Sequence, residues 1–305
     1  MSEYFLVVSL NPVLQETWTA QRVGAGETGS IGGRRSDVAG KGVNTTRVLS
    51  QLSERAVNLT HLGGSRREEF LNLAHQDGVT LRWADSNSEV RSCHTFLGRD
   101  EYSATEIVEE GTPVGPATEQ RVRVLFTELV QNAHSVIITG SKAPGYSDEL
   151  LPWMVRLAKS RSVKVMLDIR GPELLRCLLF HPDVVKINVA EFGQTFLPET
   201  QFSEDMELND LPADFWSNLR SAEAEYGCAF VLTNGSKPLV YTDNGQIQTL
   251  RPEELTPVNT IGSGDAAMAG LAAGLARDLD LRAALELAVD CAARNALREK
   301  PGTIL

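Results

Sequence analysis

The sequence predicts an α/β protein in which helices cover both faces of a mainly parallel sheet, with a small second sheet beside it. From residue 117 onward, apolar strand-like segments alternate with segments of helical periodicity, which is the pattern of a parallel sheet with crossover helices. Two β-prone stretches, about 12–37 and 88–110, interrupt this alternation. We interpret them as one small lid sheet rather than two unrelated surface loops, because structureless loops of that length are uncommon in compact domains.

The predicted strands are short apolar runs that end at turn residues. Val57–Leu62, for example, alternates like a strand and stops at two glycines. The strand-like segments of the main body are Tyr4–Leu10, Val57–Leu62, Ser135–Thr139, Val163–Asp168, Val184–Ile187, Cys228–Thr233, and the hairpin Leu239–Thr242 with Gln246–Leu250. Those of the second lid stretch are Arg91–Leu97 and Thr105–Val108.

The predicted helices are segments whose apolar residues recur on one face, as Val43, Val48 and Leu52 do. These segments are Val43–Leu52, Arg66–His75, Thr118–Gln131, Asp148–Lys159, Pro172–Cys177, Phe215–Glu225, Asp265–Ala276 and Leu281–Glu299. The first six fall between the predicted strands and the last two close the chain, so we expect one domain spanning residues 1–305 with the two lid stretches inserted in it.

Composition and charge exclude several classes of protein. The chain has 305 residues, of which 42% are hydrophobic and 23% charged, so it is neither mainly disordered nor collagenous. Its net charge of −11 disfavours nucleic-acid and anionic-membrane partners. No apolar run reaches the ~20 residues that span a bilayer, and no basic region precedes the first apolar run. We therefore expect a cytoplasmic protein, and the four scattered cysteines indicate neither a disulfide framework nor a zinc site.

The most informative stretch is Asn259–Asp265, which precedes a helix of small apolar residues. Gly262, Ser263 and Gly264 therefore lie at a helix N-terminus, where unpaired amides and the helix dipole favour an anion. Asp265, in the first helical turn, is either an N-cap worth about 1 kcal/mol or a catalytic carboxylate beside an anion site. Its position alone leaves both interpretations open.

A second Gly-rich element, Ala39–Asn44, also opens a helix. Lys41 lies there between Gly40 and Gly42, where it is placed to hold a phosphate as a point charge. The alternative is a solvated surface lysine, which is the commonest fate of this residue.

Polar residues follow two predicted strands at their carboxyl ends, where ligands bind in open α/β sheets. Asn188 and Glu191 share one helix face and offer oxygens suited to Mg²⁺, directly or through water. Alternatively they form a helix N-cap and its capping-box partner. The segment Thr233–Lys237 follows another strand and supplies donors for further phosphate.

Together these motifs resemble the ribokinase-like (PfkB-type) carbohydrate kinases over nearly the whole chain. Leu10–Pro12 with Ala39–Asn44 is similar to the N-terminal signature of the family, Asn259–Asp265 to its C-terminal signature, and Asn188–Glu191 to its NxxE magnesium motif. The branch that phosphorylates sugar phosphates, comprising 1-phosphofructokinase and tagatose-6-phosphate kinase, matches best. The segments that indicate this branch are 11–12, 90–93, 105–109 and 140–145.

The resemblance implies a Rossmann-like three-layer body with a β-sheet lid, a homodimer through the lids, and transfer of the ATP γ-phosphoryl group to a sugar hydroxyl. Asp265 would be the general base, and the amides of Gly262, Ser263 and Gly264 would stabilise the transferred phosphoryl group. Mg²⁺ would lie near Asn188 and Glu191. The residues implied for ATP are Lys186, Asn188, Thr233, Asn234, Gly235, Ser236 and Lys237. Those implied for the phosphosugar are Asn11, Gln15, Gly40, Lys41, Asn44 and Arg91.

Two departures from the family pattern keep the substrate open. Gln15 stands where this branch has an aspartate that grips sugar hydroxyls, and a neutral amide cannot pair two hydroxyls as a carboxylate does. The segment 233–238 lacks the usual second glycine of the nucleotide loop. A kinase of a phosphorylated ketohexose is the leading hypothesis. The alternatives are a kinase of an unphosphorylated sugar or nucleoside, and a non-catalytic phosphosugar sensor.

Two further expectations concern single side chains. Arg34 and Arg35, with Lys41 and Arg91, are expected to offset the acidic net charge near the substrate. Asn295, in the last predicted helix, is interpreted as a solvated residue, although the resemblance would bring it towards the adenine.

Overall fold

The structure, a computed structural model, describes residues 3–20, 31–98, 104–203 and 206–305. The parts of the predicted lid stretches at 21–30 and 99–103 therefore lie outside the described residues. Within the described residues, no helix is both long and apolar enough to cross a membrane.

The strands follow the predicted order, except that one edge strand of the large sheet was not predicted. They are β1 (Tyr4–Val8), β2 (Val13–Ala20), β3 (Ile31–Ala39), β4 (Ala56–Gly63), β5 (Leu81–Ser86), β6 (Arg91–Gly98), β7 (Ala104–Val108), β8 (Ala133–Thr139), β9 (Lys164–Asp168), β10 (Val184–Asn188), β11 (Ala229–Thr233), β12 (Leu239–Asp243) and β13 (Gln246–Leu250). The helices are α1 (Lys41–Gln51), α2 (Arg67–Gln76), α3 (Pro116–Leu129), α4 (Leu150–Lys159), α5 (Gly171–Leu178), α6 (Val189–Phe196), α7 (Ala213–Tyr226), α8 (Ser263–Ala276) and α9 (Leu281–Ala296).

The large sheet has nine strands in the order β13-β12-β11-β10-β9-β8-β1-β4-β5. All neighbours from β11 to β5 pair in parallel, and only the terminal hairpin of β12 and β13 is antiparallel. This confirms the predicted α/β class. The strand β5 was not predicted. It lies at the sheet edge and buries only Ala84 fully, so its sequence lacks a clear apolar alternation.

Helices cover both faces of the large sheet, as predicted. Alternate side chains of β1 show this, because Leu6 and Val8 pack into the core formed with α3 to α7. Phe5 and Val7 point to the opposite core, which contains residues of α1, α8 and α9. The parallel strands consequently have both faces buried and read as continuous apolar runs.

Helix α8 is apolar on all sides and is buried from Asp265 to Gly274. It packs closely on α9, since a Cβ placed on Gly274 would lie 2.7 Å from the Cα of Ala284. A helix held so tightly along its length gives a fixed position to the residues of its first turn.

The second sheet has four strands in the order β3-β2-β6-β7, and we call it the lid sheet. Its base is anchored by buried charges: Glu16 on β2 accepts hydrogen bonds from Arg34 and from Arg66, at 2.7 Å each. Arg35 donates to Asp37 on its own strand at 2.6 Å. Arg34 and Arg35 are thus already paired with lid carboxylates and do not supply the free positive charge that we expected of them.

Candidate active site

A buried carboxylate with two lysines lies at the carboxyl edge of the large sheet. Asp168, the last residue of β9, accepts a hydrogen bond from Lys41 Nζ on Oδ1 and from Lys186 Nζ on Oδ2, both at 3.0 Å. Lys41 begins α1 and Lys186 lies on β10, so three elements converge on this carboxylate. Asp168 and Lys186 are almost fully buried, whereas 41% of the Lys41 side chain is exposed.

These charges determine one another's protonation. Burial by itself would raise the pKa of Asp168, but the positive charges of Lys186 and Lys41 outweigh burial and hold that pKa below its usual value. In turn, the negative charge of Asp168 raises the pKa of Lys41 above its usual value. Asp168 and Lys41 are therefore both ionised at physiological pH.

Asp265 lies beside this cluster and has a different environment. It is buried in the first turn of α8, and Asn44 Nδ2 donates to its Oδ2 at 2.8 Å. Burial, strengthened by the negative charge of Asp168, raises the pKa of Asp265 to about 6, while Lys41 and Asn44 act in the opposite direction. Such a carboxylate is ionised at neutral pH yet basic enough to accept a proton.

Residues 262–264, which we call the anion turn, lead into α8. Gly262 has a φ of 82°, and a Cβ there would lie 2.6 Å from Gly302 N, so only glycine fits. The amide of Ser263 donates to Thr260 O at 3.1 Å and is therefore engaged internally. Within the described residues, the amides of Gly262 and Gly264 have no such partner. Two of the three amides predicted to bind an anion therefore lack a partner in the described part of the chain.

The anion turn is held by Asn295 on α9. This side chain is fully buried, and its Nδ2 donates to Ile261 O and to Ser263 Oγ, at 3.0 Å each. Its Oδ1 accepts from the amides of Gly302 and Thr303 at 2.7 and 3.2 Å. The interpretation of Asn295 as a solvated helix residue is therefore wrong, because the C-terminal segment folds over it.

Asn188 and Glu191 form a capping box at the start of α6. Glu191 N donates to Asn188 Oδ1 at 2.6 Å, and Asn188 N donates to Glu191 Oε2 at 3.0 Å. Amide and carboxylate oxygens retain further lone pairs in such a pair, so this donor set fits Mg²⁺ held partly through water. Within the described residues, no group of three or more His, Cys, Asp or Glu side chains forms a metal cage. A cation here would need phosphate and water as its other ligands.

The predicted nucleotide residues follow β11. Asn234 is buried and donates from Nδ2 to Met206 O at 2.8 Å, and Thr233 Oγ1 lies 3.5 Å from Ile187 O. Lys237 forms an ion pair with Glu207. Gly235 has a φ of 55°, and Ser236 lies between it and Lys237 in the turn. The loop is thus folded against the segment around residue 206, and its lysine is paired.

Three further predicted sugar residues, Asn11, Gln15 and Gly40, lie on the lid sheet or in neighbouring loops. Gln15 is buried and donates from Nε2 to Thr95 Oγ1 at 2.6 Å, and Asn11 donates to Ser141 Oγ at 3.1 Å. Gly40 is the N-cap of α1, with a φ of 101°. Within the described residues, neither Gln15 nor Asn11 is hydrogen-bonded to Asp265.

Arg91 is the lid arginine without a carboxylate partner in the described part of the chain. Its Nη1 donates to Glu109 O at 3.1 Å, and its Nε is buried with no hydrogen-bond partner there. Burial lowers its pKa from the usual value. An arginine with spare donors is suited to bind an anion such as a phosphate group.

Asp168 was not singled out from the sequence, and Asn295 was interpreted as a solvated residue. Asp168 ends a predicted strand, and the strand-end argument that selected Asn188 applied to it equally. Asn295 carried no local signal, because its role depends on a C-terminal segment whose course the sequence does not reveal.

Within the described residues the site thus combines two amides without a hydrogen-bond partner, one buried and one partly exposed lysine, and a buried carboxylate with a raised pKa, an arrangement suited to binding anionic phosphate groups. The chain belongs to the pfkB family carbohydrate kinases, whose family model matches residues 14–305. The predicted family is therefore confirmed, and the protein is a carbohydrate kinase.

Individual relatives agree with this assignment. A tagatose-6-phosphate kinase of Staphylococcus epidermidis is 23% identical over 301 residues, covering 98% of this chain and 94% of its own. The structure of phosphofructokinase-2 from Escherichia coli in complex with potassium has a TM-score of 0.87 at 17% identity, covering 98% and 94%. That of a possible 1-phosphofructokinase from Thermotoga maritima has a TM-score of 0.84 at 20% identity, covering 98% and 93%.

We predict that Asp168→Asn destabilises the fold, because it leaves the buried Lys186 without its carboxylate partner. Breaking a buried ion pair on one side costs about 3 kcal/mol in free energy of unfolding. Urea denaturation, with one transition expected, measures the loss. Glu207→Gln is the matched control: its pair with Lys237 is largely exposed, so its loss should stay below about 1 kcal/mol. Equal losses in the two variants would contradict the role given to Asp168.

Proposed function

We propose that this protein transfers the γ-phosphoryl group of ATP to a hydroxyl of a phosphorylated ketohexose. The observation that carries the proposal is Asp265, a buried carboxylate with a pKa of about 6 directly after the anion turn. The named relatives support the substrate class, since a tagatose-6-phosphate kinase is among them.

Asp265 acts as the general base in this proposal. Its carboxylate accepts the proton of the sugar hydroxyl while that oxygen forms its bond to the γ-phosphorus. The bond between the γ-phosphorus and the bridging oxygen breaks, and ADP leaves. Asn44 keeps the Oδ2 atom of the base in place through its 2.8 Å hydrogen bond. Because the base must be ionised, we expect kcat/KM to fall as the pH drops below about 6.

The anion turn stabilises the γ-phosphoryl group during its transfer. Phosphoryl transfer needs mainly positioning and neutralisation of charge, which free amides at a helix N-terminus supply. The amides of Gly262 and Gly264 take this role. One hydrogen-bond donor directed at the developing charge lowers the activation free energy by about 3 kcal/mol. Ser263 does not take part in this way, because its amide donates to Thr260 O. Its hydroxyl oxygen accepts a hydrogen bond from Asn295 Nδ2.

Lys41 and Arg91 bind the phosphate of the sugar in this proposal. Lys41 is held by Asp168 but remains partly exposed, so an incoming phosphate can compete for its ammonium group. Arg91 offers guanidinium donors that no carboxylate occupies in the described residues. Gln15 and Asn11 would contact the sugar hydroxyls.

ATP and Mg²⁺ complete the proposed reaction. Membership of a kinase family implies ATP as the phosphate donor, and Lys186 with the loop 233–237 would line its phosphates. Asn188 and Glu191 would hold Mg²⁺, which neutralises phosphate charge when bound.

A second candidate function is phosphorylation of an unphosphorylated sugar. It is favoured by the pairing of Lys41 with Asp168, which neutralises the cation proposed to bind the sugar phosphate.

We also propose that residues 1–305 form one kinase domain closed by the lid sheet, and that two copies pair through these sheets. The edge strand β7 exposes Ile107 and Val108, at 58% and 48%. An exposed apolar edge is a template for pairing. The single transition expected in urea denaturation tests whether residues 1–305 form one domain.

Ile107→Asp is predicted to abolish the dimer, because it puts a charge on that apolar edge. Sedimentation velocity should show a dimer for the wild type and a monomer for the variant. As a control, Val124→Asp puts the same charge at an exposed site on α3 and should leave the dimer intact. A monomeric wild type would contradict the pairing.

Asp265→Asn is predicted to lower kcat by about 10² or more with little change in KM, because it removes the base and keeps the shape of the site. A coupled assay of ADP release measures both constants. Asp280→Asn is the matched control: Asp280 also opens a helix, but it only caps α9 by accepting from Ala283 N at 2.8 Å. Turnover at the wild-type level in Asp265→Asn would refute the assignment of the base.

Lys41→Ala is predicted to separate the two candidate substrates. It should raise KM for a phosphosugar about 10-fold or more, because a hydrogen bond between charged groups contributes more than 1 kcal/mol, while KM for a neutral sugar changes little. Lys237→Ala is the control and should affect KM for ATP only. Equal KM changes for both sugars would favour the unphosphorylated substrate.

A further inference from the structure

We propose that Arg47 is a positioning residue that acts through Asn44 on the carboxylate of Asp265. Arg47 lies one turn after Asn44 on α1 and is buried. The proposal rests on the function proposed above, in which Asp265 is the base. It assigns a role to a buried charge that the phosphoryl-transfer chemistry does not itself use.

The first step is the orientation of an amide. Arg47 Nη1 donates to Asn44 Oδ1 at 3.1 Å, so the oxygen of this amide is directed towards the arginine. The NH₂ group must then face the other way, where Nδ2 donates to Asp265 Oδ2 at 2.8 Å. Because an arginine can only donate, Arg47 disfavours the flipped Asn44 amide, in which the NH₂ group would face the arginine. In that orientation the amide oxygen of Asn44 would face the carboxylate of Asp265.

The second step is the rigidity of the arginine. Its Nε and Nη2 donate to Asp77 Oδ2 at 3.2 and 2.8 Å, and Nη2 also donates to Val38 O at 2.7 Å. Nη1 donates in addition to Pro301 O and Gly302 O, at 3.1 and 3.3 Å. A planar fork engaged on every nitrogen has one orientation available, so Asn44 is held by a fixed group.

Charged side chains from several elements also face Asp265. Lys41 on α1 and Lys186 on β10 favour its ionised form, and Asp168 on β9 opposes it. Arg47 lies behind Asn44 and adds a positive charge on the α1 side. Behind Arg47 are Asp77 and Asp37, which Lys300 bridges at 2.6 and 3.3 Å. Removing Arg47 therefore takes away a cation and frees the amide, and both changes favour protonated Asp265.

The test is a carboxyl ¹³C NMR titration of Asp265 in the full-length protein, with the resonance assigned by its loss in Asp265→Asn. Arg47→Met should raise the titration midpoint by about one pH unit, the scale of a lost charged or hydrogen-bonded neighbour. The acid limb of kcat/KM should move up by the same amount. Arg47→Lys keeps a charge without the fork and should give a smaller upward shift; it replaces Arg47→Met if that variant does not fold.

Two comparisons distinguish positioning from general loosening. Arg123→Met removes an arginine that pairs with Glu119 on α3 and is not hydrogen-bonded to Asn44 or Asp265 among the described residues, so it should leave the midpoint unchanged. In an Asn44→Ala background, Arg47→Met should add less than half of its usual shift, because the amide through which it acts is gone. An equal shift in that background, an equal shift in Arg123→Met, or no shift in Arg47→Met or Arg47→Lys would each overturn the proposal.

The NMR titration also separates this proposal from the function on which it rests. If the wild-type protein transfers no phosphoryl group, the function fails, yet the midpoint still decides whether Arg47 acts on Asp265. If phosphoryl transfer occurs but the titration midpoint of Asp265 is the same in the Arg47 variants as in the wild type, only the positioning role fails.

Discussion

The structure depends on one constraint: four ionisable side chains are gathered at one edge of the large sheet. Ions taken out of water must be paired or change their protonation. Asp168 satisfies this requirement for Lys41 and Lys186 by accepting one hydrogen bond from each, at 3.0 Å. Asp265 has an amide donor instead of an ammonium partner, and its burial raises its pKa to about 6. The two carboxylates thus differ in protonation behaviour: ion pairs keep Asp168 ionised, whereas Asp265 has the raised pKa that suits the base role proposed for it.

The rest of the fold fixes the positions of these groups. The buried helix α8, packed on α9 at Gly274, holds Asp265 and the anion turn. Asn295 ties that turn to the C-terminal segment, and Arg47 ties the same segment to α1 through Pro301 O. A pre-arranged set of donors needs no reorganisation when charge develops, which is the property that phosphoryl transfer demands of a protein.

Much of this could be predicted from the sequence, since alternating strands and helices, the Gly-rich turn and the lysine after Gly40 are local patterns. The edge strand β5 could not, because one buried side chain leaves almost no periodicity. The pairing of Asp168 with Lys41 joins residues 127 apart in the chain, and no local pattern encodes it. Similarly, the internal bond of the Ser263 amide and the burial of Asn295 follow from how the turn and the C-terminal segment fold.

The measurement that tests the account most directly is ADP release from ATP by the purified wild-type protein, screened over fructose 1-phosphate, fructose 6-phosphate, tagatose 6-phosphate and the corresponding free sugars. Two lysines beside the buried Asp265, with the base and phosphate-binding roles proposed above, predict release with at least one ketohexose phosphate and far slower release with the free sugars. Release with a free sugar alone, or with none of these compounds, would contradict it.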